Sequence, residues 1–259
     1  MKLAHDRFGE GAPLLLVHGI GSHRKVWRLV LDRLAAERDV IAIDLPGFGD
    51  SAPLPGDTVT PAQLAAAVAA FLDDIGLDRV DVAGNSLGGW VGFELAADGR
   101  ATSVTGLGAA GLYATGSSRS GVRRLVASRR LARAARPALP RLLRSRAVRT
   151  RSFRDQCVHA ADLPYAIALE AASAYGACPG FESVLRGSLS GPFSRGAEIT
   201  VPVTAAYGDD DRIIPRSARI RSMLPAHTTW LTFADCGHVP MWDDPDLVAS
   251  TILKTATDG

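Results

Sequence analysis

Apolar and polar positions along the chain fall into two alternating patterns. Leu14 to Val17 and Val40 to Ile43 are short, wholly apolar runs, closed by His18-Gly19 and Asp44, and Val80 to Ala83, apolar but for Asp81, is a third, closed by Gly84. Runs of this kind suit strands covered on both faces, as in a parallel sheet. Between them the apolar positions change to helical spacing. Trp27, Val30, Leu31 and Leu34 follow i, i+3, i+4, i+7, and Leu64, Val68, Phe71, Leu72 and Ile75 do so again. Thr60 and Pro61 stand where a cap and a first-turn proline belong.

Strand and helix in alternation predict a mostly parallel, doubly wound α/β sheet with right-handed crossovers. The pattern returns late in the chain. Thr200 to Tyr207 reads as a strand, Arg216 to Met223 as a helix, Thr229 to Phe233 as a strand and Asp246 to Lys254 as a closing helix. The middle is different. From Tyr113 to Arg195 no strand is evident, and Ser120 to Arg136, Leu142 to Arg149, Pro164 to Tyr175 and Phe181 to Leu189 read as helices. The expected organisation is a core formed by residues 1–112 and 196–259, with an all-helical insertion at 113–195.

A length of 259 residues with 47% hydrophobic and 22% charged residues suffices for a large core without disulfides or a structural metal. Cys157, Cys178 and Cys236 are odd in number and widely spaced, which fits neither a disulfide framework nor a metal cluster. No metal or other cofactor is expected. No leader-like or membrane-spanning apolar stretch is read in the chain, so a cytoplasmic protein is the default expectation. Net charge is only +2, yet Tyr113 to Arg154 holds 13 arginines and no Lys, Asp or Glu, leaving about −11 on the remaining residues.

Chemistry concentrates where strands end. Gly84-Asn85-Ser86-Leu87-Gly88 is a G-x-S-x-G motif between a predicted strand and a predicted helix. That context makes it a sharp turn with Ser86 at its tip, backed by the N–H groups of the following helix. A serine hydroxyl needs a base in reach. Of six histidines, His238 in Cys236-Gly237-His238-Val239-Pro240 lies just past the last predicted strand, on the side where α/β sheets bind ligands. The base in turn needs an acid to hold its tautomer. Asp209, Asp210 and Asp211 all follow the penultimate strand, and the pattern alone leaves the choice among them open. An oxyanion would need two donors. Leu87 N–H and Ile20 N–H, in the loop His18-Gly19-Ile20-Gly21-Ser22, are expected to supply them, with His18 bracing that loop. His23, Trp27, Asn85 and Trp242 are candidates to line the substrate pocket.

The ordered set His18-Gly19-Ile20-Gly21, Asp44-Leu45-Pro46-Gly47-Phe48-Gly49-Asp50-Ser51, Gly84-Asn85-Ser86-Leu87-Gly88-Gly89, Gly208 to Pro215 and Gly237-His238-Val239-Pro240 resembles the α/β-hydrolase superfamily. More narrowly, it resembles the lid-bearing esterases and carbon–carbon bond hydrolases. The resemblance covers Leu14 to Val104 and Val201 to the C-terminus. It implies that Asp211, followed by Arg212, two isoleucines and Pro215, is the acid, and that the helical insertion is a lid. Haloalkane dehalogenases carry an aspartate where this chain has Ser86. Meta-cleavage product hydrolases are similar at Gly84-Asn85-Ser86 and at Trp242, but they usually carry Gly-Pro-Gly where this chain has Ser22-His23-Arg24.

The expected activity is therefore acyl transfer to water on a small or medium carboxylic ester or thioester. Carbon–carbon cleavage of a diketone-like substrate is the alternative, and a non-catalytic ligand-binding protein is the alternative from another class. The expected partner is a small-molecule substrate. The arginines read first as a solvated surface, then as a site for a carboxylate or phosphate, for an acidic carrier protein or for a membrane surface. Nucleic acid is not expected, because no aromatic residue is interleaved between Tyr113 and Phe153.

Overall fold

The computed structural model describes residues 2–115 and 120–257. Arg119, one of the arginines of the basic segment, lies outside them. Seven strands form one sheet: β1 (His5–Phe8), β2 (Pro13–Val17), β3 (Asp39–Ile43), β4 (Val80–Asn85), β5 (Ala101–Leu107), β6 (Val203–Gly208) and β7 (Thr229–Phe233), in the order β1-β3-β2-β4-β5-β6-β7. Only β1 runs antiparallel, against β3. The expected doubly wound, mostly parallel fold is what forms.

Helices cover both faces. On one side α1 (Arg28–Ala35) packs beside α9 (Pro245–Thr257), and on the other α2 (Pro61–Asp74) packs beside α3 (Leu87–Ala97). In β2 and β3 every side chain from Leu14 to Val17 and from Val40 to Ile43 is buried, divided between two apolar clusters, one on each face. Helix α2 opens with a capping box: Gln63 N–H donates to Thr60 Oγ1, and Thr60 N–H donates to Gln63 Oε1.

Strands β1 and β5 escape the apolar pattern for different reasons. In β5, Thr102 and Ser103 hydroxyls both donate to Asp81 Oδ1 at 2.7 Å, and Arg38 donates to Asp81 Oδ2 at 2.9 Å. Polar residues can sit in that strand because each finds a partner. β1 is an edge strand with mostly exposed side chains, so its sequence lacks a buried-strand pattern.

The segment from 113 to 195 holds helices and no strand among its described residues: α4 (Ser120–Ala135), α5 (Leu139–Leu142), α6 (Arg146–Phe153), α7 (Tyr165–Ala177) and α8 (Phe181–Ser188). Leu139, Leu143, Phe153, Leu163 and Ile167 form a small apolar cluster of their own, while Phe181 and Val184 join the main core. The helix expected over Leu142 to Arg149 is instead broken at Ser145, which is extended. The helix expected over Arg216 to Met223 is replaced by two short 3-10 turns, 216–218 and 221–223. Arg219 leaves helical geometry between them, donating to Ile214 O and stacking 4.6 Å over the Tyr207 ring.

Candidate active site

β4 runs directly into α3, and the turn between them is Ser86, at φ 55° and ψ −115°. A non-glycine residue in that region is strained, and strain of this kind persists only where the surroundings enforce it. They do so here. Ser86 N–H donates to Leu107 O at 2.9 Å, and Ser86 O accepts from Ala110 N–H at 3.0 Å and Gly89 N–H at 3.1 Å. The turn closes because Gly84 lies against the backbone of Gly88, and Gly88 against the backbone of Val17; a Cβ at either place would collide.

The three aspartates after β6 separate cleanly. Asp210 is paired with Arg212 at the surface, and Asp209 Oδ1 accepts from Cys236 N–H at 3.4 Å. Asp211 alone faces His238: His238 Nδ1 and Asp211 Oδ2 are 3.0 Å apart, with both side chains buried. Asp211 Oδ1 accepts from the N–H groups of Ile213 and Ile214, each at 2.9 Å. Burial works to raise the Asp211 pKa, but the His238 charge and these hydrogen bonds outweigh it and hold the carboxyl below its ordinary value. An ionised Asp211 fixes Nδ1 of His238 as the protonated nitrogen and leaves Nε2 to accept a proton.

The same residues converge from separate elements. Gly108, at φ 54° just past β5, would bring a Cβ to 3.0 Å from His238 Nδ1 and 3.3 Å from Asp211 Oδ2. A Cβ on Gly19, in the loop after β2, would lie 3.1 Å from Ser86 Cβ. Among the described residues, neither Ile20 N–H nor Leu87 N–H hydrogen-bonds within the protein.

His18 is wholly buried as a brace. Its Nδ1–H donates to Gly19 O at 2.7 Å, its Nε2 accepts from Leu45 N–H at 3.0 Å, and its ring meets Phe48 edge-on at 5.6 Å. Burial pushes its pKa down to about 4, so it stays neutral and ties the loop after β2 to the loop after β3.

The pocket candidates part company. Asn85 is buried, and its Nδ2 donates to Leu107 O at 3.0 Å and His238 O at 2.9 Å, so its donors are spent positioning the histidine loop. Trp27 is 0% exposed within the apolar cluster of Leu14, Val30 and Leu34, where it packs as core. Trp242 joins the core to the helical segment, edge-on to Phe153 at 5.9 Å. His23 is half-buried and lines a cleft of about 220 Å³ with Arg24, Lys25 and Arg136.

Sequence reasoning missed Asp243. Its Oδ2 accepts from Gly237 N–H at 2.8 Å and its Oδ1 from His159 N–H at 2.9 Å. Val239 N–H also donates to Gln156 O at 2.7 Å. The loop carrying His238 is thus stitched to the segment after α6. The only local signal was an aspartate shortly after the histidine, and nothing in the pattern gave its partners.

Comparison with known proteins agrees with the fold. A model described as the alpha/beta hydrolase family matches residues 14–251. An epoxide hydrolase of Mycobacterium tuberculosis, EphH, is 32% identical over 209 residues, covering 76% of this chain and 94% of that protein. The dihydrolipoyllysine-residue acetyltransferase component of the acetoin cleaving system of Cupriavidus necator is 42% identical over 100 residues. That match covers 38% of this chain and 26% of that protein, so the chain spans about a quarter of it. The enol-lactonase of Burkholderia xenovorans LB400 superposes with a TM-score of 0.80 at 20% identity, over 98% of this chain and 96% of that one, a likeness of fold.

Proposed function

The chain belongs to the α/β-hydrolase family, and within it we propose a serine hydrolase that cleaves a small or medium carboxylic ester or thioester through an acyl-enzyme. The observation that carries this reading is the buried 3.0 Å contact between His238 and Asp211, together with a serine held at φ 55° on a strand-to-helix turn whose preceding residue, Asn85, donates to His238 O.

In this mechanism His238 Nε2 takes the Ser86 proton as Oγ adds to the carbonyl carbon. The carbonyl electrons move onto oxygen, and Ile20 and Leu87 N–H groups bind that oxyanion. Collapse expels the alcohol or thiol, which receives the proton from His238. Water then adds to the acyl-enzyme with His238 again as base, and Ser86 is regenerated. Asp211 stays ionised throughout and stabilises the imidazolium. Residues 1–112 and 196–259 supply this machinery, and 113–195 forms the lid that selects the substrate.

The similarity to an epoxide hydrolase raises a second reading, and the residue at the elbow speaks against it. Attack of a serine oxygen on an epoxide carbon would leave an ether. An ether has no carbonyl for water to attack, so the enzyme would stay alkylated. An acyl-enzyme is an ester and turns over.

The test is a panel of esters of graded acyl length, thioesters, vinylogous diketones and epoxides, read against Ser86→Ala. Ester or thioester turnover that falls by on the order of 10⁴-fold in the variant supports the reading. Near-full activity of the variant overturns it. Diketone cleavage with only weak ester hydrolysis replaces it with carbon–carbon bond hydrolysis.

A further inference from the structure

Helix α4 carries five arginines and no acidic residue, and Arg136 follows it directly. Like charges four apart along a helix repel. Arg129, Arg133 and Arg136 stand at spacings of four and three, which brings them to one side of the helix, and all three line a single cleft of about 750 Å³. The opposite wall is Gly176 to Pro179, at the end of α7, and Glu182 of α8.

The three arginines are not equivalent. Arg129 is only 5% exposed. It donates to Glu182 Oε1 and, at 2.8 Å, to Cys178 O, and its guanidinium lies 4.7 Å over the Phe181 ring. Its Nε is buried and has no acceptor. With its two terminal nitrogens bonded to Glu182 and Cys178 O, Arg129 is a fixed positive charge in the cleft wall. Arg133 and Arg136 are exposed, and among the described residues neither is in an ion pair. Other arginines of the segment, Arg141 and Arg144 among them, have no carboxylate partner in the described residues either; what sets Arg133 and Arg136 apart is that they line this cleft beside Arg129. The cleft therefore holds three guanidinium groups against one carboxylate, an excess of two positive charges.

We propose that this cleft is an anion site that takes a phosphomonoester dianion, held by Arg133 and Arg136 at its mouth with Arg129 as its fixed floor. The dianion matches the excess charge, and its oxygens accept the forked donors of arginine in a way that a single carboxylate only half satisfies. The smaller cleft lined by His23 and Lys25 shares Arg136 and Ala177 with this one, so the organic part of a phosphomonoester has a continuous surface to follow. The site lies apart from Ser86 and does not depend on the triad assignment.

The test is titration calorimetry on the full chain with inorganic phosphate, ethyl phosphate and acetate. The variants are Arg133→Gln with Arg136→Gln, and, as a control, Arg141→Gln with Arg144→Gln. The control pair removes the same charge from exposed arginines outside the cleft. The expected result is saturable phosphate binding that weakens by about tenfold or more in the first pair and is unchanged in the second. Tighter binding of ethyl phosphate than of inorganic phosphate assigns an organic phosphomonoester; the reverse assigns free phosphate. Absence of saturable binding to either phosphate overturns the proposal. So does equal loss in both pairs, which would mean diffuse charge, and so does acetate binding as tightly as phosphate. If the double variant fails to fold, each single substitution carries the same test. Binding is read without turnover, so its failure and a failure of the Ser86 mechanism are distinguishable.

Discussion

Asp211 Oδ2 lies 3.0 Å from His238 Nδ1, while Asp211 Oδ1 is held by two backbone N–H groups of its own loop. The carboxylate is thereby clamped on one oxygen and directed at the imidazole with the other. Asp211→Asn keeps the shape but can present an N–H where an acceptor is required, favouring the wrong tautomer of His238. The expected loss in kcat is on the order of 10⁴-fold with little change in KM.

Stability should also report on Asp211. Its folded pKa lies below the ordinary value, so the unfolded chain takes up the proton first as pH falls. Its contribution is complete above the unfolded value, near 3.8, and is lost as pH falls through the lower folded value. The stability gap between wild type and Asp211→Asn should therefore narrow in acid, as measured by denaturant unfolding across that range.

His18 sets a second window. Its pKa falls from 6.5 to about 4 on folding because burial penalises the charged ring. Below pH 6.5 the unfolded state binds a proton that the folded state refuses, so stability declines as pH drops from about 6.5 to about 4. The full difference is on the order of 3 kcal/mol. Unfolding of His18→Gln should have a flatter pH dependence through that window.

The strain at Ser86 makes a prediction of opposite sign to its chemistry. Glycine tolerates φ 55° and ψ −115° far better than serine does. Ser86→Gly should abolish turnover while raising stability by about 1 kcal/mol, seen as a higher Tm. An unchanged or lower Tm would mean that the turn stores no usable strain.

Asp243 receives N–H groups from both sides of the join between the histidine loop and the helical segment. Asp243→Ala frees Gly237, next to His238, and should lower kcat by roughly tenfold, more than it raises KM. Asp243→Glu should recover part of that loss. A change confined to Tm would make Asp243 a structural residue alone.

The pattern of residues by itself determined the parallel sheet, because strands buried on both faces are mostly apolar, and this is visible in Leu14 to Val17, in Val40 to Ile43 and, interrupted only by Asp81, in Val80 to Ala83. It also determined the elbow, since the close approach of Gly84 and Gly88 is a property of a few adjacent residues. It could not reveal β5, whose Thr102 and Ser103 are paid for by Asp81 on a neighbouring strand. Nor could it show that Trp27 packs as core, that Asn85 holds the His238 backbone, or that Asp243 joins two distant segments. Family resemblance alone pointed to Asp211 among three consecutive aspartates, and the fold then turned only that one toward His238. The division has one physical cause. Burial along a strand and sterics within a turn are local, so they are written in consecutive residues, whereas a hydrogen-bond partner 27 or 153 positions away is decided only when the chain closes on itself.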